Sequence, residues 1–117
     1  MRLLLADNNE MNVDLAVAAL DGHDVVVERD GPGALKTGLQ QHFDVVLLDV
    51  QMPGMTGLEV CRKLRDAGVR TPIIALTADA MPADIARGHD AGFDEYLTKP
   101  IAPAALSAAV ERYRRAA

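Results

Sequence analysis

Short runs of aliphatic residues alternate along this chain with longer stretches in which apolar residues recur at helical spacing. Three runs, residues 3–6, 45–48 and 73–76, are almost continuously aliphatic, which is typical of strands buried on both faces. Weaker runs at residues 25–27 and 95–98 predict two further strands. Five strands that alternate with helices predict βαβ units and a parallel sheet, so the pattern indicates an α/β fold.

The stretches between the predicted strands carry the start and stop signals of helices. Asn8 or Asn9 can cap the first helix, and Pro32 stands in the first turn of the second. A fourth helix, predicted over residues 78–91, has only Met81 and Ile85 as bulky apolar residues, and we expect it to be the element that moves. The residues expected on the buried faces of the first, third and last helices are Met11, Leu15, Ala18 and Ala19, then Leu58, Cys61 and Leu64, then Leu106, Val110 and Tyr113.

Composition fits a single globular domain over residues 1–117, because half of the residues are hydrophobic and 25% are charged. The net charge is −5 and Lys and Arg form no block, so we expect no nucleic-acid partner. No apolar stretch approaches the ~20 residues of a membrane span, and no signal segment begins the chain, so we expect a cytoplasmic protein without a membrane partner. Cys61 is the single cysteine, which excludes an internal disulfide. His23, His42 and His89 lack ligand spacing and are expected at the surface.

Four polar residues stand where predicted strands end: Asp7, Asp49, Thr77 and Lys99. Alone, Asp7 and Thr77 would be interpreted as turn or cap residues, and Lys99 as a solvated charge. Since the carboxyl ends of parallel strands meet at one edge of a sheet, we expect the four side chains to lie together. A carboxylate such as Asp49 can attack phosphorus when a divalent cation neutralises the phosphoryl oxygens, and Asp7 would help to hold that cation. Lys99 and Thr77 can bind the phosphoryl oxygens, so the cluster predicts phosphoryl chemistry.

Four segments together resemble the receiver domain of two-component response regulators, namely LLLADNNEMN, VVLLDVQMPGMTGLEV, PIIALTA and DEYLTKPI. The resemblance covers essentially the whole chain and implies a flavodoxin-like (βα)5 fold with a five-stranded parallel sheet in the order 2-1-3-4-5. It implies that Asp49 accepts a phosphoryl group from a histidine kinase or a histidine phosphotransfer protein. It also implies that Mg²⁺ or Mn²⁺ is bound by Asp7, Asp49 and the main-chain carbonyl of Gln51. The chain would then not be an enzyme, except that it catalyses its own phosphorylation and dephosphorylation.

The same resemblance implies a switch and an output surface. If Thr77 moves towards a phosphoryl group on Asp49, Tyr96 can rotate into the space that Thr77 leaves. The fourth helix, the last strand and the last helix would then present an altered surface to a downstream protein effector. Gln51 and Asp79 would tune how readily water reaches the acyl phosphate. We further expect a cis peptide bond between Lys99 and Pro100, and a monomer or weak homodimer.

One position departs from the family pattern. Receivers usually have two adjacent acidic residues after the first strand, whereas this chain has Asp7 followed by Asn8. An amide oxygen can coordinate Mg²⁺ without contributing a charge, so we expect an affinity lower by ~10-fold or more, which corresponds to at least ~1.4 kcal/mol. Glu10 could compensate through water.

Asn8 leaves a second functional class open, in which the chain is a docking module of the same fold with weak or no phosphorylation. A third class, an enzyme or flavoprotein on a similar sheet, is disfavoured. Gln51 stands where an aspartate-based phosphatase would need an Asp, and a flavodoxin would need a phosphate cradle after the first strand. We expect no output domain after the last predicted helix, so that the chain acts through a separate partner or is cut from a larger regulator or hybrid kinase.

Overall fold

The computed structural model describes residues 1–78 and 82–114, which contain the five strands and five helices that the sequence pattern predicts. The strands are β1 (Arg2–Ala6), β2 (Asp24–Glu28), β3 (Val45–Asp49), β4 (Ile73–Thr77) and β5 (Glu95–Thr98). The helices are α1 (Glu10–Ala19), α2 (Gly31–Gln40), α3 (Gly57–Asp66), α4 (Pro82–Ala91) and α5 (Pro103–Glu111). Strands and helices alternate strictly, as expected for consecutive βα units.

The five strands form one parallel sheet in the order β2-β1-β3-β4-β5, which confirms the predicted fold class and strand order. From β1 the chain first adds β2 on one side and then returns to add β3 on the other. The strand order therefore reverses between β1 and β3. In sheets of this kind the crevice beyond the carboxyl ends of the two strands at the reversal is where ligands bind.

The sheet is covered on both faces, which explains why its central strands are aliphatic except at their ends, where Arg2, Asp49 and Thr77 stand. Alternate residues of β1 and β3 face opposite layers: Leu4 and Val46 pack with α2 and α3, whereas Leu3 and Val45 pack with α1 and α5. All residues of β3 and β4 are buried. Burial on both faces removes the alternation of polar and apolar residues that a half-exposed strand would have.

The predicted buried face of α1 is wrong for Met11, Leu15 and Ala18, which are exposed, whereas Ala19 is partly buried and packs against the core as predicted. Met11 and Leu15 are 71% and 57% exposed, and the residues that pack against the sheet are Val13 and Ala16. The helix begins where the Asn9 side chain accepts a hydrogen bond from the Asn12 N–H at 3.1 Å. Most residues of α1 are apolar, so its sequence allows more than one apolar stripe, and the two small residues Val13 and Ala16 let the helix lie close to the sheet.

The predictions for the other helices are confirmed where the structure describes them. Cys61, Leu64, Leu106 and Val110 are buried, whereas Leu58 and Tyr113 are partly buried. The Cys61 thiol donates to the carbonyl of Ala91, and burial raises its pKa to about 11. The packing predicted for α4 through Met81 and Ile85 falls on side chains outside the described part of the chain.

The surface prediction is confirmed for His42 and His89 but is wrong for His23. The His23 side chain is only 8% exposed, and its Nε2 lies 3.2 Å from Glu111 Oε1. The loop that carries His23 folds against the end of α5, a contact that the local sequence does not reveal. Within the described residues, no helix is long and apolar enough to cross a membrane.

Arg65 at the end of α3 ties together the starts of β4 and β5 and the end of α4. Its guanidinium donates hydrogen bonds of 2.8 to 3.1 Å to the carbonyl oxygens of Gly92, Val69 and Thr71. It also donates to Asp94 Oδ2 at 2.9 Å. A planar fork with several donors suits such a set of acceptors, which a lysine could not satisfy together.

We predict that Arg65→Met lowers the free energy of unfolding by ~3 kcal/mol, because it removes the donors that the guanidinium offers to three carbonyl groups and the ion-pair partner of Asp94. Urea unfolding of the purified domain measures this loss. Arg62→Met is the matched control, since Arg62 is exposed on the same helix, and we expect it to change stability by no more than ~0.5 kcal/mol. Equal losses in the two variants would contradict the role given to Arg65.

Candidate functional site

Three of the predicted site residues meet at the carboxyl edge of the sheet. Asp7 directly follows β1, Asp49 is the last residue of β3, and Lys99 directly follows β5. The Lys99 Nζ lies 2.9 Å from Asp7 Oδ2 and 3.0 Å from Asp49 Oδ2. One ammonium group therefore bridges the two carboxylates, although 92 residues separate Lys99 from Asp7.

The second oxygen of each carboxylate is held by the backbone two residues further along the chain. Asp7 Oδ1 accepts a hydrogen bond of 2.9 Å from the Asn9 N–H, and Asp49 Oδ1 accepts one of 3.1 Å from the Gln51 N–H. These are Asx turns, in which a side chain substitutes for a backbone acceptor. Both carboxylates are thus fixed on two sides before any ligand binds.

Thr77 is the last residue of β4, between the strands that end at Asp49 and at Thr98, and it is buried. Its carbonyl oxygen accepts a hydrogen bond of 2.6 Å from the Lys99 N–H. The main chain of Thr77 is therefore joined to that of Lys99 at the site. The peptide bond between Lys99 and Pro100 is cis, as the family resemblance implied.

The charges of the cluster do not cancel, since two carboxylates share one ammonium group. Burial raises the pKa of Asp49, and the charge of Asp7 adds to that rise against the hydrogen bonds from Lys99 and the Gln51 N–H. For Lys99, burial lowers the pKa, but the hydrogen bonds and charges of Asp7 and Asp49 outweigh it, and the pKa is raised. An ionised Asp49 is therefore held at an energetic cost, which a bound cation would relieve.

The donor set suits a hard divalent cation such as Mg²⁺. The carboxylates of Asp7 and Asp49, the carbonyl of Gln51 and the amide of Asn8 supply oxygen atoms, which are the ligands that Mg²⁺ prefers. Asn8 and Gln51 are exposed, so the site is open to water, which Mg²⁺ usually retains among its ligands. Among the residues that the structure describes, no group of three or more His, Cys, Asp or Glu side chains could hold a metal. The residues at this edge offer Mg²⁺ two acidic ligands together with neutral oxygen atoms.

Glu10, which we expected to compensate through water for the missing charge at Asn8, is paired with another residue. Its carboxylate accepts hydrogen bonds from the guanidinium of Arg29, at the end of β2. The pair is exposed, and the hydrogen bond from Arg29 lowers the pKa of Glu10. Asp79, predicted to tune water access, lies outside the described residues. Tyr96, predicted to be a switch residue, is half-buried on β5 and packs against Phe93.

Gly57 is a residue of the site that the sequence analysis missed. A β-carbon at residue 57 would lie 2.9 Å from the Val50 Cα, and the carbonyl oxygen of Asp49 would be closer still. The Gly57 N–H donates to the Val50 carbonyl at 2.9 Å. The start of α3 can therefore approach the backbone of Asp49 only because residue 57 has no side chain. The signal in the sequence is a glycine directly after Thr56, which caps the helix.

The charge balance of the site predicts that Asp49→Ala stabilises the domain, by about 1 kcal/mol at pH 7 without divalent cations. Asp49 has a raised pKa, so the folded state binds its proton more tightly than the unfolded chain does. The ionised group therefore costs stability above its folded pKa and costs nothing below the ordinary value of 3.8. The gain should be present at pH 7 and disappear towards pH 3, as measured by urea unfolding in EDTA.

Asp14→Ala is the control for this measurement, because Asp14 is an exposed acid on α1. We expect it to change stability by no more than ~0.5 kcal/mol at either pH. If Asp49→Ala instead destabilised the metal-free domain at pH 7, the contact with Lys99 would outweigh the cost of the buried charge.

Comparisons with known proteins agree with this geometry. The sequence model of the family described as the response regulator receiver domain matches residues 3–111. The chain is 40% identical over 118 residues to the DNA-binding response regulator MtrA of Mycobacterium tuberculosis, which covers 97% of this chain and 51% of MtrA. It spans about half the length of the curated relatives that it matches. Because these relatives include DNA-binding regulators, the expectation of no nucleic-acid partner is not supported.

Solved structures show the same fold. The chemotaxis response regulator CheY4 of Vibrio cholerae superposes with a TM-score of 0.90 and 30% identity, over 97% of this chain and 98% of that one. The receiver domain of the sensor histidine kinase PA1611 from Pseudomonas aeruginosa has a magnesium ion coordinated in its active site cleft. It superposes with a TM-score of 0.88 and 34% identity, over 96% of this chain and 95% of that one. Together with the sheet order and the residues at its edge, these matches show that the chain belongs to the response regulator receiver domain family.

Proposed function

We propose that this domain is the phosphoacceptor switch of a two-component phosphorelay, and that Asp49 takes a phosphoryl group from a histidine kinase or a histidine phosphotransfer protein. The observation that carries the proposal is the bridge from Lys99 to both Asp7 and Asp49. The bridge brings together a buried carboxylate nucleophile in Asp49, a second acid for a cation in Asp7, and the positive charge of Lys99, which an incoming phosphoryl group could reach. An ion pair needed only for stability would not require a second buried acid beside it.

The transfer would form a bond between a carboxylate oxygen of Asp49 and phosphorus while the nitrogen–phosphorus bond of the donor histidine breaks. The electron pair of that bond returns to the imidazole nitrogen, which takes up a proton. Lys99 would exchange its contact with Asp49 Oδ2 for a phosphoryl oxygen, and the Thr77 hydroxyl would donate to another. The hydrogen bond that the Gln51 N–H donates to Asp49 Oδ1 would keep the carboxylate oriented during the reaction.

Asp7, Asp49, the Gln51 carbonyl and, as a weaker ligand, Asn8 would hold Mg²⁺ or Mn²⁺. Bound there, the cation supplies charge that neutralises the phosphoryl oxygens. Hydrolysis of the acyl phosphate by water would return the domain to its first state, with Gln51 and Asp79 controlling the access of that water. The domain would in this sense catalyse only its own modification and its reversal, and would turn over no separate substrate.

The signal would pass to a downstream protein effector through α4, β5 and α5 in the cytoplasm. Movement of Thr77 towards the phosphoryl group and rotation of Tyr96 would alter that surface, with the domain a monomer or weak homodimer. Such a switch needs only a small free-energy difference between two packings, and the phosphoryl group has to favour one of them.

A docking module with little phosphorylation is the second candidate, and one specific observation favours it. Asn8 stands beside Asp7 where the family usually has an acid, and Glu10 is paired with Arg29. The metal would then meet a cluster with a net charge of only about −1 once Lys99 is counted. If that charge is too small to recruit Mg²⁺, the domain would bind its partner in one unmodified state.

We predict that the wild-type domain gains one phosphoryl group when it is incubated with acetyl phosphate or phosphoramidate and Mg²⁺. Intact mass spectrometry measures the gain. Asp49→Ala should gain none, because the nucleophile is missing, and wild type in EDTA should gain none, because the phosphoryl charge is not neutralised. A folded wild-type domain that stays unmodified at high Mg²⁺ concentration would sink the switch and favour the docking module.

Asn8→Asp is predicted to strengthen Mg²⁺ binding by about tenfold, equivalent to ~1.4 kcal/mol, because it adds a charged ligand. Isothermal titration calorimetry of the unphosphorylated protein measures this directly. Asn9→Asp is the matched control, since it adds the same charge one residue away and keeps the helix cap. An equal gain in both variants would indicate a general field effect, not coordination by residue 8.

A further inference from the structure

The last strand and the fourth helix meet at Tyr96 and Gly88. A β-carbon at residue 88 would lie 2.9 Å from Cε2 of the Tyr96 ring, with Cζ and the hydroxyl oxygen closer still. Carbon atoms in proteins do not approach one another so closely. The outer end of the Tyr96 ring therefore occupies the space that any other residue at position 88 would need for its side chain.

His89 and Phe93, from the same segment, complete with Gly88 the site into which the Tyr96 ring packs, which we call the seat of Tyr96. The Tyr96 ring centroid lies 6.0 Å from that of His89, edge-on at 61°, and 5.7 Å from that of Phe93, tilted at 56°. Phe93 is buried and Gly88 is buried, so the seat is continuous with the core between the sheet and the helices α2 and α3. Edge-to-face and tilted arrangements at these distances are favourable for aromatic rings.

A glycine within α4 has a cost. Glycine is the least favourable residue for a helix interior apart from proline, because its backbone loses most freedom on folding. Gly88 lies within α4, not at its end, and no turn or unusual backbone angle requires it. The close approach of Tyr96 is the reason in this structure for a glycine at position 88.

We propose that Gly88 is the positioning residue for Tyr96: by having no side chain, it seats the ring on α4 and makes the rotamer of Tyr96 depend on the position of that helix. The seat is formed in the unphosphorylated domain. Its consequence for signalling rests on the function proposed above, because α4 and β5 form the surface that would meet the effector. A β-carbon at residue 88 expels the ring and separates β5 from α4 whatever the state of Asp49.

The experiment uses the two tyrosines and the absence of tryptophan. In a Tyr113→Phe background Tyr96 is the only tyrosine, and its fluorescence reports on its own exposure. Acrylamide should quench Tyr96 weakly in this background and, after Gly88→Ala, nearly as strongly as it quenches free tyrosinamide. Unchanged quenching in a folded Gly88→Ala protein would overturn the proposal.

A double-mutant cycle separates the seat from helix propensity. Gly88→Ala is made in the wild type and in Tyr96→Ala, and unfolding by urea gives four equilibrium constants. In the Tyr96→Ala background, Gly88→Ala should raise the free energy of unfolding, since alanine favours the helix. In the wild type, where the Tyr96 ring is present, Gly88→Ala should not raise it. The two effects should differ by about tenfold or more in the unfolding equilibrium constant, and equal effects would overturn the proposal. If Gly88→Ala alone does not fold, rescue by Tyr96→Ala supports the seat and failure to rescue refutes it.

Both measurements use unphosphorylated protein, so they do not depend on the proposed phosphoryl transfer. The same coupling is expected in Asp49→Ala. A domain that never accepts a phosphoryl group but shows the coupling would retain this inference and lose the proposed switch. A domain that is phosphorylated on Asp49 and shows no coupling would support the proposed switch and overturn the role of Gly88.

Discussion

The bridge from Lys99 to Asp7 and Asp49 is the interaction on which the site depends. Two carboxylates lie side by side in buried positions, and each repels the other unless a cation stands between them. The chain supplies that cation from the end of β5, two strands away from β3. The strand order makes this possible, because it sets β1 beside β3 and brings all three carboxyl ends to one edge. A change of strand order would leave the acids without their counter-charge.

The same bridge sets how the site can respond to ligands. With Lys99 in place, the cluster retains a net charge of about −1, which is less negative than three acids would provide. Asn8 keeps the charge at that value, and Arg29 holds the nearby carboxylate of Glu10. In the proposed phosphoryl transfer, the incoming group would add negative charge within reach of Lys99 and of a bound cation.

Much of the fold and most of the site could be predicted from the sequence because both depend on local signals. Strands buried on two faces are aliphatic at every position, and the polar residues that end them share one edge, so Asp7, Asp49 and Lys99 could be grouped without a structure. The buried face of α1 could not be predicted in this way. A mostly apolar helix has more than one apolar face, so Met11 is as plausible a core residue as Val13. The contact of His23 with Glu111 of α5 could not be predicted either, because the residues around His23 in the sequence do not indicate it.

Residues whose roles come from distant partners left no such signal. Arg65 contacts groups up to 29 residues away, and the glycine at 88 is explained only by a ring that packs on it from β5. Both act on the same end of α4, since Arg65 holds the Gly92 carbonyl just beyond the helix and Gly88 seats Tyr96 one turn earlier. The helix therefore packs on β5 through its last turn, at the point where Gly88 and His89 meet the Tyr96 ring.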